Sequence, residues 1–168
     1  MVEQFVQLIR RYLALIDALS GLTPREFLIQ CAILFPQIYS ASHQLPDVEL
    51  PEDDPLEGEA TKRESPMGQI MTLLGKYDVY SEVFDPILEK EAIKTTLSND
   101  LEEIYRDLKG PLVKYDSGDE PNERIAVWEW KFGMQTHWGH HLVAALHPIH
   151  SLVYDHLDPE YNSEEDDA

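Results

Sequence analysis

The chain has 168 residues, enough for one domain with a substantial core, and a formal net charge of −19. A protein this acidic lacks the basic surface that nucleic acids and anionic membranes attract, so the composition argues against direct binding to either. Residues 47–64 carry eight acids against two bases, and residues 155–167 carry seven acids and no Lys or Arg. We therefore expect a domain over residues 1–156 with an acidic, flexible loop at 45–66, followed by a disordered acidic tail at 157–168.

Cysteine content and hydropathy indicate the compartment. Cys31 is the only cysteine, so no intramolecular disulfide can form. The first residues lack the basic-then-apolar order of a signal peptide, and no apolar run is long enough to cross a bilayer. These features predict a cytoplasmic protein.

Two amphipathic helices open the chain. Apolar residues recur with a 3.6-residue period over residues 2–19, which predicts the first helix. Residues 23–26 (TPRE) have the pattern of a capping box with Pro at the first helical position, so a second helix is expected from there to about residue 43. Pro36 is expected to kink this helix or to split it.

The middle of the chain is less regular. Residues 67–76 predict a short helix, whereas residues 77–84 fit either a helical turn or an extended segment. A strong apolar face predicts a helix over residues 99–109. Asn99 would begin it as part of a capping box, and Gly110-Pro111 would end it.

The most apolar helical segment is residues 126–150, AVWEWKFGMQTHWGHHLVAALHPIH. It has no proline before Pro148 and is apolar around most of its circumference, which predicts one long helix packed on several sides. Gly139 costs about 1 kcal/mol relative to alanine inside a helix, which suggests a neighbour whose backbone comes close. The chain is therefore predicted to be an all-α, single-domain bundle of about five helices with a central, largely buried C-terminal helix.

Histidines and acids on two of these helices could converge. His137 and His141 are four residues apart and so share one helical face, the spacing with which a helix offers two imidazoles to one metal. Asp100, Glu103 and Asp107 lie along one edge of the 99–109 helix, beside its apolar face. If the two helices pack together, two imidazoles and up to three carboxylates meet, a set that suits Zn, Mn or Fe.

The same side chains also fit a structural role. A buried acid needs a hydrogen-bond partner, and a histidine or the indole of Trp138 could supply it and fix the register of the helices. The candidate polar cluster is Asp100, Glu103, Asp107, His137, Trp138 and His141. The candidate metal ligands within it are His137, His141, Asp100 and Asp107. No serine has a nucleophile context and no glycine-rich phosphate loop is present, so no catalytic residue is predicted.

Three stretches of the sequence carry a family resemblance. They are AILFPQIYSASHQLP (residues 32–46), LSNDLEEIYRDLKGPL (residues 97–112) and the 126–150 segment, and the FDP triplet at residues 84–86 fits as well. Together they resemble a bacterial family known as a domain of unknown function, number 5063. The resemblance implies a helical, bacterial, cytoplasmic domain, and it implies no activity, substrate or catalytic residue.

Two functions are compatible with these observations. The first is a non-enzymatic adaptor or regulatory protein that presents an acidic surface to a protein partner with a basic surface. The alternative is a metal-dependent hydrolase that uses the His/Asp cluster, with a divalent metal as its only cofactor. A solvent-open cleft around the cluster would favour the hydrolase, whereas a cluster that is sealed from solvent and mutually bonded would favour the adaptor.

Overall fold

The computed structural model describes residues 1–50 and 65–157, which form six α-helices and a two-stranded sheet. The elements are α1 (Val2–Asp17), α2 (Pro24–Ser42), α3 (Met67–Leu74), β1 (Val79–Glu82), β2 (Ile93–Thr96), α4 (Leu97–Tyr115), α5 (Glu120–Thr136) and α6 (Trp138–Ser151), followed by a π-helical turn (Leu152–His156). The predicted all-α, single-domain class is confirmed. Most of the predicted acidic loop and all but the first residue of the tail lie outside the described residues.

The first two helices form close to their predicted bounds. The capping box at the start of α2 is complete: the Thr23 hydroxyl accepts from the backbone N–H of Glu26 at 3.3 Å, and the Glu26 carboxylate accepts from the N–H of Thr23 at 2.9 Å. Pro36 does not split α2. Phe35 and Ile38, on either side of it, are fully buried, and this packing offsets the hydrogen bond that proline removes.

The ambiguous segment after α3 is extended. β1 pairs antiparallel with β2, a strand that the sequence did not predict, with Glu82 opposite Ile93. The hairpin is fastened to the start of α4 by Asp78, which is buried. Its carboxylate accepts from the backbone N–H of Ser98 at 2.7 Å and from the Ser98 hydroxyl at 2.8 Å. The hairpin therefore holds a set position against α4.

α4 is longer than predicted at both ends. Thr96, and not Asn99, caps its first turn by accepting from the N–H of Asn99 at 3.3 Å. The predicted end at Gly110-Pro111 is wrong, since α4 continues to Tyr115. Pro111 is itself buried and the Tyr115 ring packs 5.6 Å from that of Trp130, so burial compensates for the cost of about 3 kcal/mol that an internal proline carries.

The predicted continuous helix over residues 126–150 is wrong: the chain breaks at His137, where φ is −147° and ψ is −86°. The break lets Trp130 of α5 and Trp138 of α6 both enter the core, and the Trp138 indole donates to the Trp130 carbonyl at 3.0 Å. The expected close approach at Gly139 is present. A Cβ atom there would lie 3.0 Å from the carbonyl carbon of Met134 and far inside contact distance of its oxygen, so the neighbour is the end of α5.

Residues at both edges of the predicted flexible segments are held by the bundle. Leu45 is buried, and Lys131 of α5 donates to its carbonyl at 3.0 Å and pairs with Asp47 at 2.6 Å. Near the C terminus, Val153 is buried within the π-helical turn. Packing against the bundle therefore includes Leu45 beyond the end of α2, and helical structure continues to His156 near the C terminus.

The core forms where α1, α2, α4, α5 and α6 meet. Phe5 of α1 packs edge-on against the fully buried Trp130, with ring centroids 5.4 Å apart. Tyr12, also fully buried, donates its hydroxyl to the carbonyl of Leu101 on α4 at 2.7 Å. In residues 1–50 and 65–157, no helix is long and apolar enough to cross a membrane.

Candidate functional site

The predicted convergence of acids and histidines occurs. α4 packs against both α5 and α6. The spacing of three and four residues between Asp100, Glu103 and Asp107 keeps them on one edge of α4. That edge meets the junction of α5 and α6, where His137 ends one helix and His141 lies in the first turns of the next. Helical periodicity along α4 and its packing on the α5–α6 junction thus bring five of the six predicted residues together. The prediction that His137 and His141 share one helical face is wrong, because the helix breaks at His137.

The inner half of the cluster is built on Asp100, which is 2% exposed. Its Oδ1 lies 2.8 Å from Nδ1 of His141, and its Oδ2 accepts from the hydroxyl of Tyr80 at 2.7 Å. Burial and this hydrogen bond to Asp100 raise the pKa of Tyr80 far above its ordinary value, so the phenol stays protonated and donates. The hydrogen bond to Asp100 also raises the pKa of His141, although partial burial opposes this shift.

The outer half of the cluster reaches the surface. Nδ1 of His137 lies 2.6 Å from Oδ2 of Asp107, and the His137 side chain is 45% exposed. The His137 and His141 rings meet edge to face with centroids 5.0 Å apart. Because an ionised carboxylate only accepts hydrogen bonds, each imidazole donates from Nδ1 to its aspartate. This arrangement leaves Nε2 of each neutral ring with a free lone pair.

Glu103 completes the cluster. Its Oε2 lies 3.8 Å from Nε2 of His137, and it is ion-paired with Arg106, whose side chain is half-exposed. The Arg106 guanidinium also reaches within 4.0 Å of Asp107. One ligand atom from each of Glu103, His137 and His141 can be chosen so that all three lie within 4.8 Å of one another. These three side chains could therefore hold one metal ion.

The roles of individual residues differ from the sequence-based expectation. Trp138 lies outside the cluster, because its indole N–H donates to the carbonyl of Trp130 in the core. Asp100 and Asp107 bond to Nδ1 atoms, whereas Glu103 lies beside the free nitrogen of His137. Tyr80 was missed, because the ambiguous 77–84 segment gave no sign that it would pack against α4.

We expect the stability of the protein to depend on the protonation of His141. Its pKa is raised in the folded state above the unfolded value of about 6.5, so the Asp100 bond stabilises the fold fully below about pH 6.5. That contribution is lost as the pH rises through the higher folded pKa. Denaturant unfolding with chelator present should therefore show wild type losing stability relative to His141→Gln above pH 6.5.

The groups that face His141 are the carboxylates of Asp100, Glu103 and Asp107 on α4 and the ring of His137. The matched control is His147→Gln on the exposed side of α6, which should follow wild type at every pH. A stability difference between wild type and His141→Gln that stays constant from pH 5.5 to 8.5 would contradict this prediction.

The fold and the cluster define a single-domain helical protein with a surface histidine–carboxylate cluster. The chain belongs to the family described as Domain of unknown function (DUF5063), whose model matches residues 1–155, and the resemblance inferred from the sequence is confirmed. Among solved structures, protein BF1032 from Bacteroides fragilis is similar at 22% identity and a TM-score of 0.78, over 91% of this chain and 92% of that chain. At this identity the likeness shows the fold alone. No curated protein matches the chain.

Proposed function

We propose that this chain is a non-enzymatic binding protein that docks a protein partner through the connection between β1 and β2, residues 83–92, here called the hairpin tip. The observation that carries the proposal is the exposure of three large apolar side chains there. Phe84 is 71% exposed, Ile87 is 88% exposed and Leu88 is 82% exposed. Single exposed apolar residues are ordinary, but three within five positions form the kind of patch that marks an interaction site.

The hairpin tip is ordered, which favours binding. The carboxylate of Asp85 accepts from the backbone N–H of Ile87 at 2.9 Å and of Leu88 at 3.1 Å, and its carbonyl accepts from the N–H of Glu89 at 2.8 Å. Pro86 fixes the backbone within the same turn. The three apolar side chains are therefore displayed on a formed turn, so a partner binds them with little loss of conformational entropy.

The charge around the hairpin tip indicates the charge of the partner. The hairpin tip contains three acidic residues (Asp85, Glu89 and Glu91) and one basic residue (Lys90), and the whole chain has a net charge of −19. An apolar groove with a basic rim complements such a surface, whereas two copies of this chain would bring like charges together. We infer a basic protein partner that buries Phe84, Ile87 and Leu88 as its anchors.

The hydrolase alternative has less support. A cavity of about 280 Å³ lies between α1 and α2, beside Leu8 and Pro36, and none of its lining residues belongs to the histidine–carboxylate cluster. Asp100 and Asp107 are engaged with imidazole Nδ1 atoms, so neither is free to act as a general base on a substrate. Mutual bonding of this kind supports a binding protein, although the cluster is not sealed from solvent, since the His137 side chain is 45% exposed.

Photo-crosslinking in the native host tests the proposal. A benzophenone amino acid at position 87 should give one discrete adduct with a basic protein, while the same probe at Val113, an exposed apolar position on α4, should give none of that product. Once the adduct is identified, Leu88→Asp should weaken binding of the purified partner by about 30-fold, the effect of losing a contact worth about 2 kcal/mol.

The control is Val113→Asp, which should leave partner affinity and the melting temperature unchanged. Partner binding that survives both Leu88→Asp and Phe84→Ser would remove the hairpin tip from the interface. Sedimentation of the wild type as a dimer that Leu88→Asp dissociates would also overturn the proposal, because the apolar patch would then be covered by a second copy.

A further inference from the structure

The orientation of both imidazoles in the cluster is that of metal-binding histidines. His137 donates from Nδ1 to Asp107 at 2.6 Å, and His141 donates from Nδ1 to Asp100 at 2.8 Å. Metal-ligating histidines nearly always make such a bond with the ring nitrogen that does not bind the metal, because it fixes the tautomer and raises the basicity of the ligand. Two adjacent histidines with the same bond to two different aspartates present two Nε2 lone pairs when both rings are neutral.

The carboxylate of Glu103 lies close enough to both histidines to supply a third metal ligand. Oε2 of Glu103 lies 3.8 Å from Nε2 of His137, and one ligand atom from each of Glu103, His137 and His141 can be chosen so that all three lie within 4.8 Å of one another. Ligands at about 2.0–2.1 Å from a tetrahedral Zn²⁺ are about 3.3 Å apart, so small side-chain rotations would close the site. These rotations are available, because His137 is 45% exposed and Glu103 lies at the same surface.

The excess of negative charge in the cluster also favours binding of a cation. Metal binding requires both imidazoles to be neutral, and Asp100, Glu103 and Asp107 then contribute three carboxylates against the one guanidinium of Arg106. Arg106 is half-exposed and ion-paired with Glu103. Its guanidinium therefore supplies the positive charge next to Glu103, and its side chain is free to rotate into solvent. A divalent ion would balance the remaining formal charge of −2.

We propose that Glu103, His137 and His141 bind one first-row divalent cation, with Zn²⁺ as the preferred ion and water in the remaining position. Asp100 and Asp107 orient the two imidazoles and do not bind the metal. Two histidines and one glutamate are a donor set that binds Zn²⁺ in proteins, and the same donors also suit Fe²⁺ and Mn²⁺. The ion joins α4 to the junction of α5 and α6, so its binding stabilises the folded state.

Calorimetric titration of ZnCl₂ into chelator-stripped protein without a histidine tag tests this site. Wild type should bind one ion, and Glu103→Gln should weaken binding at least 100-fold. Asp107→Asn should weaken it by about 10–100-fold, the usual effect of losing a carboxylate behind a ligating histidine. Arg106→Gln should tighten binding, because it removes the cation that competes for Glu103. Cobalt substitution should give the visible absorption of a four-coordinate site.

Matched controls distinguish this site from nonspecific binding of Zn²⁺ to an acidic surface. Glu102→Gln alters the neighbouring carboxylate that also lies near Arg106, and His147→Gln removes another histidine of α6; both should bind Zn²⁺ as wild type does. Glu103 makes no buried hydrogen bond, so its variant should fold even if His141→Gln does not. Zn²⁺ affinity that is equal in Glu103→Gln and Glu102→Gln would overturn the proposal, as would the absence of binding in wild type.

Discussion

Replacing Gly139 by alanine should destabilise the protein by about 1–3 kcal/mol or more, the usual cost of overpacking. The added methyl group would meet the carbonyl of Met134, and this obstacle is backbone and not a flexible side chain. The clash occurs where α5 ends and α6 begins, so relief requires the break at His137 to open. Opening the break would move Trp138 out of its place in the core. Chemical denaturation followed by circular dichroism measures the loss.

The matched control is Gly68→Ala in α3, where an added Cβ would have nothing within 4 Å. That change should be neutral or stabilise by up to about 1 kcal/mol, because alanine is the better helix former. If Gly139→Ala also stabilises, the two helices are not broken at His137 and the continuous helix expected from the sequence is restored.

Asp100 and His141 should be coupled by about 0.5–3 kcal/mol in a double-mutant cycle. Asp100 is 2% exposed and has two side-chain partners, so His141→Ala leaves one buried carboxylate oxygen unpaired, at a cost of about 1–3 kcal/mol. Asp100→Ala removes the same bond from the other side. The double variant should therefore lose less stability than the two single variants together. Urea unfolding of all four proteins in chelator gives the coupling energy.

The comparison within the same cluster is the pair of Asp107 and His137. Their hydrogen bond is shorter, at 2.6 Å against 2.8 Å, but His137 is 45% exposed, so solvent screens the interaction and the coupling should be smaller. Equal coupling in the two pairs would show that burial of Asp100 is not what makes the inner bond important. Additive effects for Asp100 and His141 would show that they do not interact in solution.

The sequence predicted helical elements well where one apolar face was long. α1 and α2 formed near their predicted bounds because their periodicity and the Thr23 capping box are local signals. The end of α4 at Pro111 and the unbroken helix through His137 were wrong, because both depended on local propensity. In each case burial of distant residues outweighed that propensity, and a single sequence carries no measure of such packing.

The sequence alone predicted five residues of the cluster, which also includes Tyr80 and excludes Trp138. Spacings of three and four residues bring Asp100, Glu103 and Asp107 onto one helix edge, since a helix repeats every 3.6 residues. The pairing of His137 with His141 was predicted from a continuous helix, whereas in the structure the two rings meet at the break between α5 and α6. Only the tertiary structure decided which oxygen faces which nitrogen, because that depends on the docking of α4 to within about an ångström. It also brought Tyr80 from the hairpin to Asp100 and left Ile87 and Leu88 in solvent, since the pairing of β1 with β2 decides where the chain between them projects.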